Sequence, residues 1–266
     1  MKLSAYIGGI GVLGPGLGDW HEAAAVLSGA KPYSPAATVL TAPALLPPTE
    51  RRRTGRVVKL ALAVALEASS RAKIDPAGLA SVFTSSGGDG HNCHEMCQAL
   101  ALPGREISPT RFSNSVHNAA AGYWSIATGA KLESNVICAF DASFCAGLLE
   151  AMTQVVVDGE SLLLVAYDTE YPEPIRSKRP VPDAFGTALV LTPGLGPNSV
   201  ARIDVALGDE RPDTMADSML EHLRLSIPAA RSLPLLSHLA RADAGRTVLE
   251  YLDSDSSMIV SVAPCV

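Results

Sequence analysis

The stretch from Ser108 to Ala151 constrains the fold more than any other part of the chain. It reads as a loop, a helix of very small residues, a short apolar strand, a tight turn and a second helix. Ser113, Asn114 and Ser115 carry side-chain oxygens able to cap free N–H groups at a helix start. The segment from Asn118 to Ala127 has little bulk on one side, which lets another backbone come close in a buried or intersubunit position. Asn135 to Phe140 is a continuous apolar run of strand length, as expected for a strand covered on both faces. Asp141 ends that strand, and Ala142 to Gly147 begin the next helix. Such a turn is where α/β enzymes hold a nucleophile, beside helix N–H groups that favour negative charge. Here the residue at the turn is an aspartate, whose plainest role is to cap the helix at Ala142.

Composition narrows the class. The 266 residues are 47% hydrophobic and 18% charged, which fits a heavily buried α/β protein and argues against disorder. A net charge of -6 without a long basic run argues against nucleic acid as a partner. Runs such as Leu162 to Ala166 are far short of a membrane span, and no signal-peptide pattern opens the chain. Five irregularly spaced cysteines fit free thiols in a reducing cytoplasm, the location expected here.

Along the chain, Gly8, Gly9 and Gly11 lack the spacing of a dinucleotide-binding loop opening a helix. Five prolines between residues 31 and 50 (Pro32, Pro35, Pro43, Pro47, Pro48) mark an irregular surface connection. Arg51, Arg52, Arg53 and Arg56 form the one basic cluster, either a solvated helix start or an anion-docking patch. Leu60 to Ser69 is a buried helix, and Leu79 to Thr84 a parallel strand ending at the glycine-rich turn Ser85–Gly90. His91, Cys93, His94 and Cys97 have ligand chemistry, but no second ligand pair lies within reach. A helix packing two small thiols is the plainer reading, and neither a metal nor a cofactor is expected.

Ser108-Pro109, Asn118, Ala121-Gly122, Ser125-Ile126 and Gly129-Ala130 together resemble the central segment of the condensing enzymes, the β-ketoacyl synthases of fatty-acid and polyketide synthesis. The resemblance covers roughly residues 1–195. It includes the opening Gly-x-Gly strand with the helix Trp20–Gly29 after it, the turn Ser85–Gly90 and the glycine-bearing strand Ala184–Leu191. It implies a thiolase-like layered α/β/α fold, truncated relative to full condensing enzymes. Residues 1–195 would be the synthase-like N-terminal domain, and 196–266 a shortened C-terminal extension packing on it. Two strands, Val200–Leu207 and Ser257–Ala263, and two short helices between them are expected there.

Counting from the matched pairs puts the family's nucleophilic cysteine position on Asp141, with Cys145 one helical turn further on. The acidic loop before the closing strand is shortened to Pro180–Asp183, and the family's two histidine motifs have no counterpart; His222 and His238 lie in amphipathic helical surroundings. A carboxylate is a poor acyl acceptor, and its charge would repel a developing enolate. The resemblance therefore implies no catalytic residue. It implies a chain-length-factor-like subunit, similar to the short bacterial members associated with aryl-polyene clusters.

Such a subunit pairs with a catalytic ketosynthase through Asn135, Val136, Ile137, Cys138 and Phe140. Arg111, Phe112, His117 and Asn118 would wall the acyl pocket, with Phe112 limiting chain growth. Arg51, Arg52, Arg53 and Arg56 would then dock an acyl carrier protein. The alternatives are a free-standing thiolase-fold acyltransferase or decarboxylase using Cys145, and a scaffold that binds carrier protein without influencing chain length.

Overall fold

The computed structural model describes residues 2–252 and 256–265. In chain order the regular elements are β1 (Leu3–Leu13), α1 (Trp20–Leu27), α2 (Pro48–Arg51), α3 (Arg56–Ala72), β2 (Ala80–Thr84), α4 (Gly90–Ala101), α5 (Pro109–Ser113), α6 (Ala119–Thr128) and β3 (Ser134–Ile137). They continue with α7 (Ser143–Asp158), β4 (Leu162–Asp168), β5 (Phe185–Thr192), β6 (Ala201–Gly208), α8 (Ser218–Ser226), α9 (Leu233–Arg241), β7 (Gly245–Glu250) and β8 (Ser257–Pro264).

Period-two alternation decides where each layer goes. Along β4, Leu162, Leu164 and Ala166 face one core while Leu163, Val165 and Tyr167 face another, so the strand needs cover on both sides. The sheet has eight strands in the order β3-β2-β4-β5-β1-β6-β8-β7. β2 runs parallel to β3 and β4, and the other neighbours are antiparallel. Side chains of α1, α7, α8 and α9 fill one core, and α3 and α6 the other. The result is an α/β/α sandwich.

β1 shows why its glycines are there. Ala5, Ile7, Ile10 and Val12 all reach the same core, because a register shift between Ile7 and Gly9 inserts one residue. Gly9 and Gly11 face α3 instead. A Cβ on Gly11 would stand 2.1 Å from the Val64 carbonyl oxygen, and one on Gly9 2.1 Å from that of Ala68. These glycines let a buried helix lie directly on the strand.

Three differences from the sequence reading concern the sheet and the surface. The apolar run at 135–140 forms a strand only over Ser134–Ile137, at one edge of the sheet, and Ser134 and Asn135 are exposed rather than covered. β7 was not anticipated; its short Thr247-Val248-Leu249 core is buried against α9. The thiols of Cys93 and Cys97 lie on the exposed side of α4 rather than packed inside. Phe140–Asp158 is the one segment among the described residues long and apolar enough to cross a membrane, and half of it is buried within the fold.

Candidate functional site: the strand-to-helix elbow and the sheet edge

The elbow lies between β3 and α7. Phe140 carries a left-handed φ of +52°, which costs a non-glycine residue about 1–2 kcal/mol. Ser143 holds the turn: its Oγ–H donates to the Phe140 carbonyl at 2.7 Å and its Oγ accepts from Ala139 N–H at 3.1 Å. The strained residue is thus Phe140, whose ring is 60% exposed. Asp141 turns the other way. Its Oδ1 accepts from Arg179 at 2.6 Å and its Oδ2 from Arg231 at 3.1 Å. The Arg179 guanidinium also lies 3.7 Å over the Phe140 ring. Asp141 makes no helix-capping bond, so its role at Ala142 is not the one its position suggested.

Cys145 lies on the buried face of α7, fully enclosed in the core. Burial pushes its thiol well above the ordinary cysteine range. It therefore lacks both the exposure and the thiolate character of a nucleophile. Cys138, at the end of β3, is exposed and donates to the Ser86 carbonyl.

Below the elbow, Asp168 ends β4 fully enclosed. Its Oδ1 accepts from Ser86 N–H at 2.8 Å, Ser86 Oγ–H at 2.7 Å and Ser85 Oγ–H at 3.3 Å, and its Oδ2 from Ala229 N–H at 2.9 Å. This carboxylate ties the glycine-rich turn to the 3-10 turn Pro228–Ser232. Burial raises its pKa from 3.8 to about 6, against the opposing hydrogen bonds and the charge of Arg179.

The structure brings several expected residues together. His117, Asn118, Asn135, Val136 and Cys138 line one groove of about 710 Å³, with Ala121, Gly122 and Ser125 of α6 as its floor. His117 Nε2 is buried there without a hydrogen-bond partner among the described residues. Phe112 stands apart on α5, 66% exposed. Arg111 is drawn to the basic cluster instead: with Arg52, Arg53 and Arg56 it lines a second cleft of about 500 Å³.

That cluster is largely neutralised. Arg51 donates to the carbonyls of Ala44 and Leu46, Arg53 pairs with Glu50, and Arg111 with Glu95. Arg56 reaches Glu170 at 2.6 Å and Asp183 at 3.5 Å. Arg51 and Arg52 form no ion pair among the described residues, and Arg52 makes no side-chain hydrogen bond there either.

Arg179, Arg231 and Asp168 were not anticipated. The apolar run Leu162 to Ala166, which ends two residues before Asp168, was the one available signal.

No curated protein matches the chain. Among solved structures, a ketosynthase (ApeO) in complex with its chain length factor (ApeC) from Xenorhabdus doucetiae is similar, with a TM-score of 0.74 and 24% identity. That match covers 97% of this chain and 99% of the other. The ishigamide ketosynthase/chain length factor aligns with a TM-score of 0.71 at 13% identity over 99% and 100% of the two chains. A β-ketoacyl synthase from Burkholderia phymatum aligns with a TM-score of 0.58 at 17% identity, over 87% of this chain and 71% of its own. These likenesses establish the thiolase-like layered fold. The family model described as β-ketoacyl synthase, N-terminal domain, matches residues 20–243, and the chain belongs to that family.

Proposed function

We propose that this chain is a non-catalytic, chain-length-factor-like subunit that pairs with a catalytic ketosynthase in type II fatty-acid/polyketide-like biosynthesis. The single observation that carries the reading is the elbow. Where a condensing enzyme needs an exposed thiolate, this chain has Phe140 and an Asp141 already bound to two arginines, and its nearby Cys145 is sealed in the core. A thioester acceptor and enolate-stabilising donors are both required for Claisen condensation, and this elbow supplies no acceptor. The same burial argues against the acyltransferase alternative built on Cys145.

The partner surface in this reading is the outer edge of β3 with the small-residue face of α6 beside it. An edge strand offers unpaired backbone groups to a second sheet. Asn135 to Cys138 and Phe140 would form the contact, and His117, Asn118, Arg111 and Phe112 the wall next to the partner's acyl pocket. Residues 1–195 would be the synthase-like part, and 196–266 the shortened extension that completes the sheet. Aryl-polyene assembly in the cytoplasm is the specific setting proposed. Carrier-protein docking through Arg51, Arg52, Arg53 and Arg56 would fall mainly to Arg52, since the other three are engaged internally.

The test is co-expression with a catalytic ketosynthase from the same genome, followed by size-exclusion chromatography and product analysis. The pair should co-elute, and Phe112→Ala should shift product length without stopping condensation. A chain that elutes alone and condenses acyl thioesters by itself would overturn the reading.

A further inference from the structure

Two arginines from distant parts of the chain meet on one carboxylate at the elbow. Arg179 belongs to the loop after β4, and Arg231 to the 3-10 turn before α9. Each donates to a different oxygen of Asp141, Arg179 at 2.6 Å and Arg231 at 3.1 Å. One charged donor per oxygen is how guanidinium groups hold a free carboxylate.

The arginines are the more enclosed side, Arg231 above all. The Arg231 side chain is 9% exposed, pairs with Glu250 and keeps a buried Nε with no hydrogen-bond partner among the described residues. Arg224, 6% exposed, bonds Glu221 at 2.7 Å and faces Glu250 at 3.7 Å, so the glutamate is held in turn. Arg179 rests on the ring of Phe140, and its Nε is also buried and unpartnered. By contrast the Asp141 side chain is 34% exposed and has no other hydrogen bond among the described residues. The carboxylate sits at the mouth of a preorganised clamp.

We propose that the elbow is a carboxylate-binding site which the chain fills with its own Asp141, and that removing this side chain opens the site to a small free carboxylate. The inference rests on the elbow geometry and stands apart from the pairing with a ketosynthase. In the native chain the tethered carboxylate outcompetes a free one, because attachment gives it a high effective concentration.

The experiment is size-matched rescue followed by thermal unfolding of the full chain. Asp141→Ala removes the carboxylate and leaves room for formate; Asp141→Gly also removes the methylene and makes room for acetate. Both variants should melt below the wild type. Formate on Asp141→Ala, and acetate on Asp141→Gly, should raise Tm saturably, by roughly 2–4 °C at tenfold the half-saturating concentration. Chloride at equal ionic strength should not, and neither carboxylate should shift the wild type. Adding Arg231→Met to Asp141→Ala should abolish the rescue. If Asp141→Ala does not fold in plain buffer, refolding yield in formate against chloride becomes the readout. Equal effects of formate and chloride, equal shifts in wild type and variant, or rescue that survives Arg231→Met would overturn the proposal.

Discussion

Phe140 and Asp141 divide one position's work between two neighbouring residues. The turn strains Phe140 and exposes its ring, while Asp141 points back into an arginine clamp. Neither offers a thiol. The partners of Asp141 lie 38 and 90 positions away in sequence, so no local pattern announces them. That is why the aspartate was legible as a substitution at the turn while its role as the carboxylate of an ion-pair network was not. Asp168 carries the clearest pH signature. Its carboxyl is raised from 3.8 to about 6 by burial, so the folded chain holds this proton more tightly than the unfolded chain does. The sign follows from linkage: its contribution to stability is fully present below pH 3.8 and is lost as pH rises through about 6. Asp168→Asn should erase this component. The difference in unfolding free energy, wild type minus variant, should fall by about 3 kcal/mol between pH 3 and pH 7 in urea titrations. A pH-independent difference would refute the assignment.

Among the elements, the contact of β1 with α3 is the tightest dependence of fold on sequence. Gly11 has Val64 backbone where a Cβ would go, and backbone cannot rotate away as a side chain can. Gly11→Ala should therefore destabilise by about 3 kcal/mol, read as a lower urea midpoint with an unchanged m-value. The glycines were visible in the sequence, where their spacing did not match a cofactor loop. Their actual reason, a helix lying on the strand, needed the packing. β3 was visible too, but its apolar composition suggested cover on both faces, whereas Ser134 and Asn135 are exposed in this chain. An apolar run does not distinguish a central strand from an edge that another surface covers. On α6, Gly122 has nothing within 4 Å of the Cβ it lacks, and it lines the groove beside β3. Gly122→Leu should leave the lone chain as stable or more so, since glycine is the poorer helix former by roughly 1 kcal/mol. It should nevertheless abolish co-elution with the ketosynthase. A variant that still co-elutes would remove this groove from the interface.

For the molecule as a whole, the layered architecture was the most legible feature, because it rests on many short patterns in a fixed order. Alternating apolar faces, the small-residue helix and the glycine-rich turn each restrict neighbours, and together they admit few arrangements. The end of the chain was less readable: β7 is short, follows α9 closely and buries only Thr247, Val248 and Leu249. Its Glu250 also completes the ion network beneath the elbow. The central claim is that this chain supplies no nucleophile while acting beside one that does. Intact-mass spectrometry of the reconstituted pair after acyl loading tests it directly. The account predicts an acyl adduct on the ketosynthase only, with this chain unmodified both in the pair and alone. An acyl adduct on this chain, lost on replacing one of its own cysteines, would contradict it.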